Sequence, residues 1–152
     1  MRLLLDTHVV LWTLDDSPRL GARARELMTA RGAECFVSAV SFWEVAIKAA
    51  LRRKDFRVDA DRLIEACLAA GLRLLPFAPA HAVRVARLPR HHADPFDRAL
   101  IAQALVEPLT LLTRDAQLAP YGSAVRICTS ARRPKTSCSS SRKVSASRPT
   151  TP

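Results

Sequence analysis

The chain has 152 residues, of which 24 are Lys or Arg and 14 are Asp or Glu, so its formal net charge is +10. Such a basic balance points to an anionic partner such as nucleic acid. Hydrophobic residues make up 49 % of the chain, which suits a globular core and excludes a wholly disordered protein. The apolar runs are too short to span a bilayer, and Asp6 interrupts the N-terminal one. We therefore predict a cytoplasmic protein with neither a signal peptide nor a membrane segment.

Short apolar runs alternate with helical patterns along the chain. The predicted strands are residues 2–6, 34–38, 72–77, 109–113 and 124–129. The predicted helices are residues 7–14, 19–31, 39–53, 60–70, 79–88 and 95–106, and a short helical turn follows Asp115. Continuous rather than alternating apolar runs are typical of strands that are covered on both faces of a parallel sheet. The pattern therefore predicts an α/β protein, a three-layer α/β/α sandwich around a roughly five-stranded parallel sheet.

The C-terminal stretch differs from the rest of the chain in composition. Residues 131–152 contain six basic groups and no acid (+6), which leaves 18 basic and 14 acidic groups (+4) in residues 1–130. Ser, Thr, Pro, Arg and Lys dominate this stretch, so it cannot bury enough apolar surface to offset the entropy of ordering. We predict a folded domain over residues 1–130 and a disordered basic tail over residues 131–152. The tail is either a frameshift or read-through product or a genuine basic arm.

The cysteines do not form a recognisable metal or disulfide pattern. They contain no CxxC pair and no His at a zinc-like spacing. We expect reduced thiols, the first three of them buried, at Cys35, Cys67, Cys128 and Cys138.

Acidic residues fall near the ends of the predicted strands. Asp6 ends the first strand, and Asp115 lies two residues beyond the fourth. Glu44 lies in the helix that follows the second strand, and Asp94 and Asp97 begin the helix that precedes the fourth. Ligands of open parallel sheets bind outside the carboxyl ends of the strands. The sequence therefore predicts that these acids meet at one edge of the sheet.

Glu44 lies on the apolar face of its helix, in line with Val40, Ile47 and Leu51. A carboxylate on a face that packs against the core is unfavourable unless it is paired or binds a metal. The alternative is an ion pair with Lys48, four residues further on.

Helix capping is the alternative for the aspartates. Asp6, Asp94 and Asp115 each precede a predicted helix or turn, and Asp is a preferred N-cap residue. Asp97 comes four residues before Ile101, close to the apolar side, and we expect it to point inward at a site.

Several carboxylates that lie within a few ångströms repel one another and raise each other's pKa. A divalent cation removes this repulsion, and ligands that offer only oxygen favour Mg²⁺ or Mn²⁺ over Zn²⁺. Such an ion, held by few carboxylates, polarises phosphoryl oxygens and orients a water nucleophile. We therefore predict a metal site that acts on a phosphate substrate.

Four segments, in order and spacing, carry a family likeness: LLLDTH (3–8), SAVSFWE (38–44), DPFDRALIAQA (94–104) and LLTRD (111–115). They resemble PIN-domain ribonucleases, and most of all the VapC toxins of bacterial toxin–antitoxin pairs. The resemblance covers about residues 1–129. The tail from residue 131 onward departs from it.

The resemblance implies a Mg²⁺- or Mn²⁺-dependent endoribonuclease in which metal-activated water hydrolyses RNA phosphodiester bonds. The catalytic and metal-binding acids it implies are Asp6, Glu44, Asp97 and Asp115. Of these, Asp6 and Asp97 would bind the metal directly, whereas Glu44 and Asp115 would hold metal waters or a second ion. Asp94 and Thr113 would have supporting roles. The resemblance also implies a homodimer and an antitoxin partner that fills the active-site groove.

Other side chains allow two interpretations. RNA contacts are possible for Lys48, Arg52, Arg53 and Arg114, although Arg52 and Arg53 also suit the C-terminus of a helix. We expect the tryptophans, Trp12 and Trp43, in the core or a dimer interface rather than in a base-stacking surface. We expect surface or loop positions for the histidines, His8, His81, His91 and His92.

Two other classes of function compete with the nuclease. A phosphatase of the haloacid-dehalogenase type also has an Asp after its first strand, but its second Asp would stand where this chain has His8. A non-catalytic basic module would bind nucleic acid through its charge alone. The clustered acids argue against such a module, because they repel phosphate unless a cation intervenes.

Overall fold

The computed structural model of the protein describes residues 1–51 and 58–128. Five strands of this part form one parallel sheet in the order β3-β2-β1-β4-β5. The strands are β1 (Arg2–Leu5), β2 (Glu34–Ser38), β3 (Arg73–Leu75), β4 (Thr110–Thr113) and β5 (Val125–Ile127). The α-helices are α1 (Thr7–Leu14), α2 (Ala22–Thr29), α3 (Ala39–Ala50), α4 (Ala60–Ala69), α5 (Pro79–Ala86) and α6 (Pro95–Val106). Two 3₁₀ segments, Pro18–Leu20 and Ala116–Ala124, complete the described part.

The two faces of the central strand β1 pack into separate hydrophobic cores. Leu3 and Leu5 are fully buried against residues of α1, α2 and α4. Leu4, equally buried, faces the opposite core, which α5 and α6 cover. Because neighbouring strand residues point to opposite faces, a continuous apolar run is what a strand between two helical layers requires. The predicted three-layer α/β/α sandwich with a five-stranded parallel sheet is confirmed.

The chain connectivity places a crevice at the carboxyl ends of β1 and β4. From β1 the chain passes to β2 and β3 on one side, and it later returns to β4 and β5 on the other. The strand order reverses at β1, and parallel α/β sheets bind ligands at such a point. The residue that follows β1, Asp6, and the end of β4 at Thr113 lie there: the Asp6 amide donates to the Leu112 carbonyl at 3.1 Å.

Several predicted boundaries change in the structure. The helix predicted over residues 19–31 is two segments, because Gly21 has φ 75° and interrupts the helical path. The outer strands β3 and β5 are shorter than predicted. Cys67 and Cys128 are buried as predicted, but Cys35 is only half-buried, so its predicted burial is wrong.

Some predictions concern parts of the chain outside residues 1–51 and 58–128. These are the end of the third helix, the domain boundary near residue 130, the tail and Cys138. Within the described ranges, no helix is long and apolar enough to cross a membrane.

Candidate active site

A pocket of about 380 Å³ opens beside the carboxyl ends of β1 and β4. Its lining includes all five acids that the sequence singled out, together with basic and aromatic side chains. The lining residues are Asp6, His8, Trp12, Glu44, Lys48, Asp94, Asp97, Arg114 and Asp115. The structure therefore brings into one pocket acids that are up to 109 positions apart in the sequence.

Asp6 is the N-cap of α1 and the most firmly held of these acids. It is 7 % exposed, its Oδ1 accepts from the His8 amide at 3.2 Å, and its Oδ2 accepts from the Thr113 hydroxyl. Burial raises the pKa of Asp6, but the hydrogen bonds from His8 and Thr113 and the charge of His8 outweigh it, so the pKa lies below its ordinary value. Asp6 is therefore ionised at neutral pH.

Thr113 connects Asp6 to the loop that carries Asp115. Besides donating to Asp6, its hydroxyl accepts the Asp115 amide at 3.0 Å. Asp115 in turn caps the following 3₁₀ segment, since its Oδ1 accepts from the Gln117 amide at 2.8 Å. One buried hydroxyl thus fixes two acids that arrive from different strands.

Glu44 combines both interpretations that its sequence position allowed. It is 8 % exposed and lines the pocket, and it forms the ion pair with Lys48. Its other oxygen, Oε2, accepts from the Thr7 hydroxyl at 2.7 Å. The partners on α1 and α3 offset the unfavourable burial of this carboxylate.

Asp94 and Asp97 enter the pocket from the first turn of α6. Asp94 is the predicted N-cap, and its Oδ1 accepts from the Phe96 amide at 2.8 Å. Burial raises the pKa of Asp97 to about 7, with the charges of Asp6 and Asp94 adding to the effect and His92 opposing it. Asp97 is thus only partly ionised at neutral pH. A bound cation would relieve the repulsion between Asp97 and the neighbouring carboxylates.

His92 contacts two of the pocket acids, which the sequence argument missed. Its Nδ1 lies 3.3 Å from Asp97 Oδ2, its Nε2 lies 3.4 Å from Asp115 Oδ2, and its side chain is 11 % exposed. His92 does lie in a loop, as predicted, but its side chain is largely buried rather than at the surface. The available signal was its place in the loop, two residues before the cap of α6.

His81 also departs from that prediction. It is 1 % exposed, its Nδ1 accepts from the Ala78 amide at 2.9 Å, and its Nε2 lies 2.9 Å from Glu107 Oε1. It joins the start of α5 to the end of α6, far along α6 from the acids. His81 is a buried structural residue.

The tryptophans differ from each other. Trp12 is partly buried and packs against the core, with the Arg114 guanidinium 5.1 Å from its ring centroid. Trp43 is 59 % exposed and contacts Phe96 edge-on at 5.1 Å, so a core position for it is wrong. A place in a dimer interface stays a prediction.

Two of the four predicted RNA-contacting residues line the pocket, Lys48 and Arg114. Arg114 also donates to the Arg19 carbonyl at 2.9 Å. Arg52 and Arg53 lie outside the described residues.

The side chains present fit a divalent cation. The potential donors are carboxylate oxygens and the imidazoles of His8 and His92, and carboxylate oxygens are the ligands that Mg²⁺ and Mn²⁺ share. Within the described ranges, one atom each of His92, Asp97 and Asp115 lies within 4.8 Å of the other two. A cation beside Asp97 would favour the ionised form of this acid.

The fold and the pocket define a three-layer α/β protein with an acidic site at the carboxyl edge of its parallel sheet. The family model that matches is the PIN domain, over residues 3–122. The chain belongs to the PIN-domain family.

Solved structures share this fold at low sequence identity. VapBC2 from Rickettsia felis, bound to a DNA fragment from the promoter, gives a TM-score of 0.60 at 12 % identity over 82 % of this chain and 96 % of that one. A toxin–antitoxin complex from Klebsiella pneumoniae gives a TM-score of 0.56 at 18 % identity, over 82 % of this chain and 95 % of that one. VapBC-5 from Mycobacterium tuberculosis gives a TM-score of 0.55 at 22 % identity, over 83 % of this chain and 96 % of that one. No curated protein matches the sequence significantly.

Proposed function

We propose that the protein is a Mg²⁺- or Mn²⁺-dependent endoribonuclease and the toxin of a toxin–antitoxin pair. The observation that supports this most is the convergence of Asp6, Glu44, Asp97 and Asp115, the proposed catalytic and metal-binding acids, on one pocket. Membership of the PIN-domain family agrees with a nuclease. We assign supporting roles to Thr113, which hydrogen-bonds Asp6 and the Asp115 amide, and to Asp94, which lines the same pocket.

The proposed roles follow from how firmly each acid is held. Asp6 is ionised and fixed by two hydrogen bonds, which suits a permanent metal ligand. Asp97, in the first turn of α6, lines the same pocket, and its ionisation is unfavourable without a cation. When bound, the cation supplies an activated water and polarises a phosphoryl oxygen. Glu44 and Asp115 would orient water beside the cation, and Lys48 and Arg114 would attract the phosphate backbone.

The two competing functions are less well supported. A phosphatase of the haloacid-dehalogenase type needs a second Asp where this chain has His8. The Nδ1 atom of His8 lies 3.8 Å from Asp6 Oδ1. A passive RNA-binding module would place phosphates against five acids, which is unfavourable without a cation.

The test of the nuclease is cleavage of a mixed pool of structured RNAs by purified protein. We expect Mg²⁺ or Mn²⁺ to support cleavage, chelation to stop it and metal to restore it. Asp6→Asn should lower the rate at least about 100-fold, because a metal ligand contributes several kcal/mol to the transition state. Asp61→Asn is the matched control, since Asp61 is an exposed acid in the first turn of α4.

Cleavage that continues in a chelator, or an Asp6→Asn variant as fast as the Asp61→Asn control, would rule out the metal mechanism. RNA binding without Mg²⁺ that survives loss of the acids would favour the passive module.

The toxin role has separate support and a separate test. The similar solved structures include complexes described as toxin and antitoxin. We propose an antitoxin partner and a homodimer, and we expect the reading frame directly upstream to encode a DNA-binding antitoxin. Co-expression of that product should suppress RNA cleavage, and light scattering should give twice the monomer mass. A lone gene and a monomer would contradict these two proposals without affecting the chemistry.

A further inference from the structure

His92 reaches the acidic pocket from a second cavity. It lines a cavity of about 540 Å³ together with Arg90, His91, Ala93 and Arg98. Its ring nevertheless contacts Asp97 and Asp115, which belong to the acidic pocket. His92 is therefore the side chain that stands between the two cavities.

The loop before α6 holds this imidazole in place. Arg98 of α6 donates to the carbonyls of Val85 at 3.0 Å, Leu88 at 3.3 Å and Pro89 at 2.8 Å. The Asp94 amide donates to His92 Nδ1 at 3.3 Å. Arg98 therefore fixes the backbone that precedes His92, and the Asp94 amide contacts the ring itself.

The donor atoms lie close to, but not yet within, the separations that one coordination shell requires. Donor atoms of His92, Asp97 and Asp115 lie within 4.8 Å of one another. Two ligands that are each about 2.1 Å from one ion stand at most about 4.2 Å apart. The carboxylate contacts of the ring, at 3.3 and 3.4 Å, are also longer than ordinary N–H···O hydrogen bonds. A small movement of the three side chains toward one another would bring one donor atom of each within bonding distance of a single ion.

We propose that His92, Asp97 and Asp115 form a mixed nitrogen–oxygen cation position that prefers Mn²⁺ to Mg²⁺. Asp6 and Glu44, beside it, offer oxygen only. Imidazole suits first-row transition ions, whereas Mg²⁺ favours oxygen ligands and keeps its waters. Nε2, which faces Asp115, would bind the ion, and Nδ1 would then carry the proton and donate to Asp97 Oδ2 in place of accepting the Asp94 amide. This proposal rests on the proposed function in that both require a divalent cation in the pocket.

The test is magnetic resonance of Mn²⁺ bound to the full chain, without RNA. Electron spin echo modulation reports whether an imidazole nitrogen is bonded to the ion. Mn²⁺ and Mg²⁺ affinities come from titration with Mn²⁺ and competition by Mg²⁺. The variants are His92→Gln, His8→Gln, since His8 is the other histidine at the acids, and the matched control His91→Gln. His91 is exposed and contacts Tyr121 edge-on at 5.2 Å.

We expect nitrogen coupling in the wild type, in His8→Gln and in His91→Gln, and its loss in His92→Gln. The Mn²⁺ affinity of His92→Gln should fall at least about tenfold. Its Mg²⁺ affinity should change less than about twofold, because Mg²⁺ prefers oxygen.

Bound Mn²⁺ without nitrogen coupling in the wild type would overturn the proposal and leave the nuclease intact. Coupling that disappears only in His8→Gln would overturn it as well. No bound Mn²⁺ at all would contradict both proposals. If His92→Gln does not fold, the spectra of the wild type, His8→Gln and His91→Gln together decide the question, because coupling that survives in both variants comes from neither His8 nor His91.

Discussion

Asp6, Asp94 and Asp115 each accept a backbone amide at the start of a helix through Oδ1, and each also lines the pocket. Capping and metal binding are therefore compatible for these residues, because a carboxylate has two oxygens. Oδ2 of Asp6 and Oδ2 of Asp115 point to Thr113 and His92 respectively. Helix capping orients the same acids that the pocket requires.

Replacing Asp97 by Asn should stabilise the metal-free protein. Because burial raises the pKa of Asp97 from 3.8 to about 7, ionisation disfavours the folded state. The contribution of Asp97 to the metal-free stability should therefore fall as the pH rises from about 4 to about 7 and stay level above. With allowance for partial exposure, Asp97→Asn should gain about 1–2 kcal/mol at pH 8 and little at pH 4. Urea denaturation in a chelator measures this, and a gain equal at both pH values would contradict it.

The hydroxyl of Thr113 should matter more than its methyl group. Thr113→Val leaves buried Asp6 Oδ2 and the Asp115 amide without their partner, which costs about 1–3 kcal/mol. We expect lower stability by thermal denaturation and weaker Mn²⁺ binding by titration. Thr113→Ser keeps the hydroxyl and should restore most of both properties. If serine is no better than valine, the hydroxyl does not organise the acids.

At the scale of elements, hydrogen bonds between buried polar groups join α6 to β2 and to the residue that follows β3. Ser38 donates to Gln103 Oε1, and Gln103 Nε2 donates to the Pro76 carbonyl at 3.0 Å. Ser38 also accepts the Val40 amide at 2.9 Å as the N-cap of α3. These hydrogen bonds therefore fix α6, which carries Asp97, relative to α3, which carries Glu44.

Gln103→Met should destabilise the protein by about 1–3 kcal/mol, because it leaves polar groups of Ser38 and Pro76 without partners. Chemical denaturation measures the change. Gln117→Met is the control, since Gln117 is exposed, and it should stay within about 0.5 kcal/mol of the wild type. Equal effects of the two substitutions would show that these buried hydrogen bonds contribute nothing.

The elements were predictable to the extent that apolar patterning decides them. Strands covered on both faces need continuous apolar runs, so β1 and β4 were apparent from the sequence. The break at Gly21 was not, because a helical pattern continues through it and only a positive φ separates the segments. His92 was missed because its contacts depend on the loop before α6, which Arg98 holds through three carbonyls, and loops carry no periodicity.

At the scale of the whole molecule, the charge divides into two parts with different meanings. Residues 1–130 carry +4 and residues 131–152 carry +6. The acids whose positions define the pocket are a minority of the charges and indicate its chemistry better than the total does. Their gathering at one edge was predictable because parallel strands end at the same edge. Their protonation was not, since it depends on burial and mutual distance.

Removal of residues 131–152 should leave folding and metal-dependent cleavage within about twofold of the full chain at moderate salt, because this stretch has few apolar residues and the five pocket acids all lie in residues 1–130. Loss of six basic groups should instead flatten the salt dependence of RNA binding, if those groups touch phosphate. Circular dichroism and cleavage rates at several salt concentrations test this. A folded but inactive truncated protein would contradict the assignment of activity to residues 1–130.

The most direct test of the central claim is the rate of RNA cleavage by Asp97→Asn at saturating Mn²⁺, compared with the wild type. The account predicts a variant that is folded, at least as stable as the wild type without metal, and slower by about 100-fold or more. Because this substitution is expected to stabilise the fold, lost activity would not be due to unfolding. A folded Asp97→Asn variant that cleaves RNA at the wild-type rate would contradict the claim that these acids form a metal-dependent nuclease site.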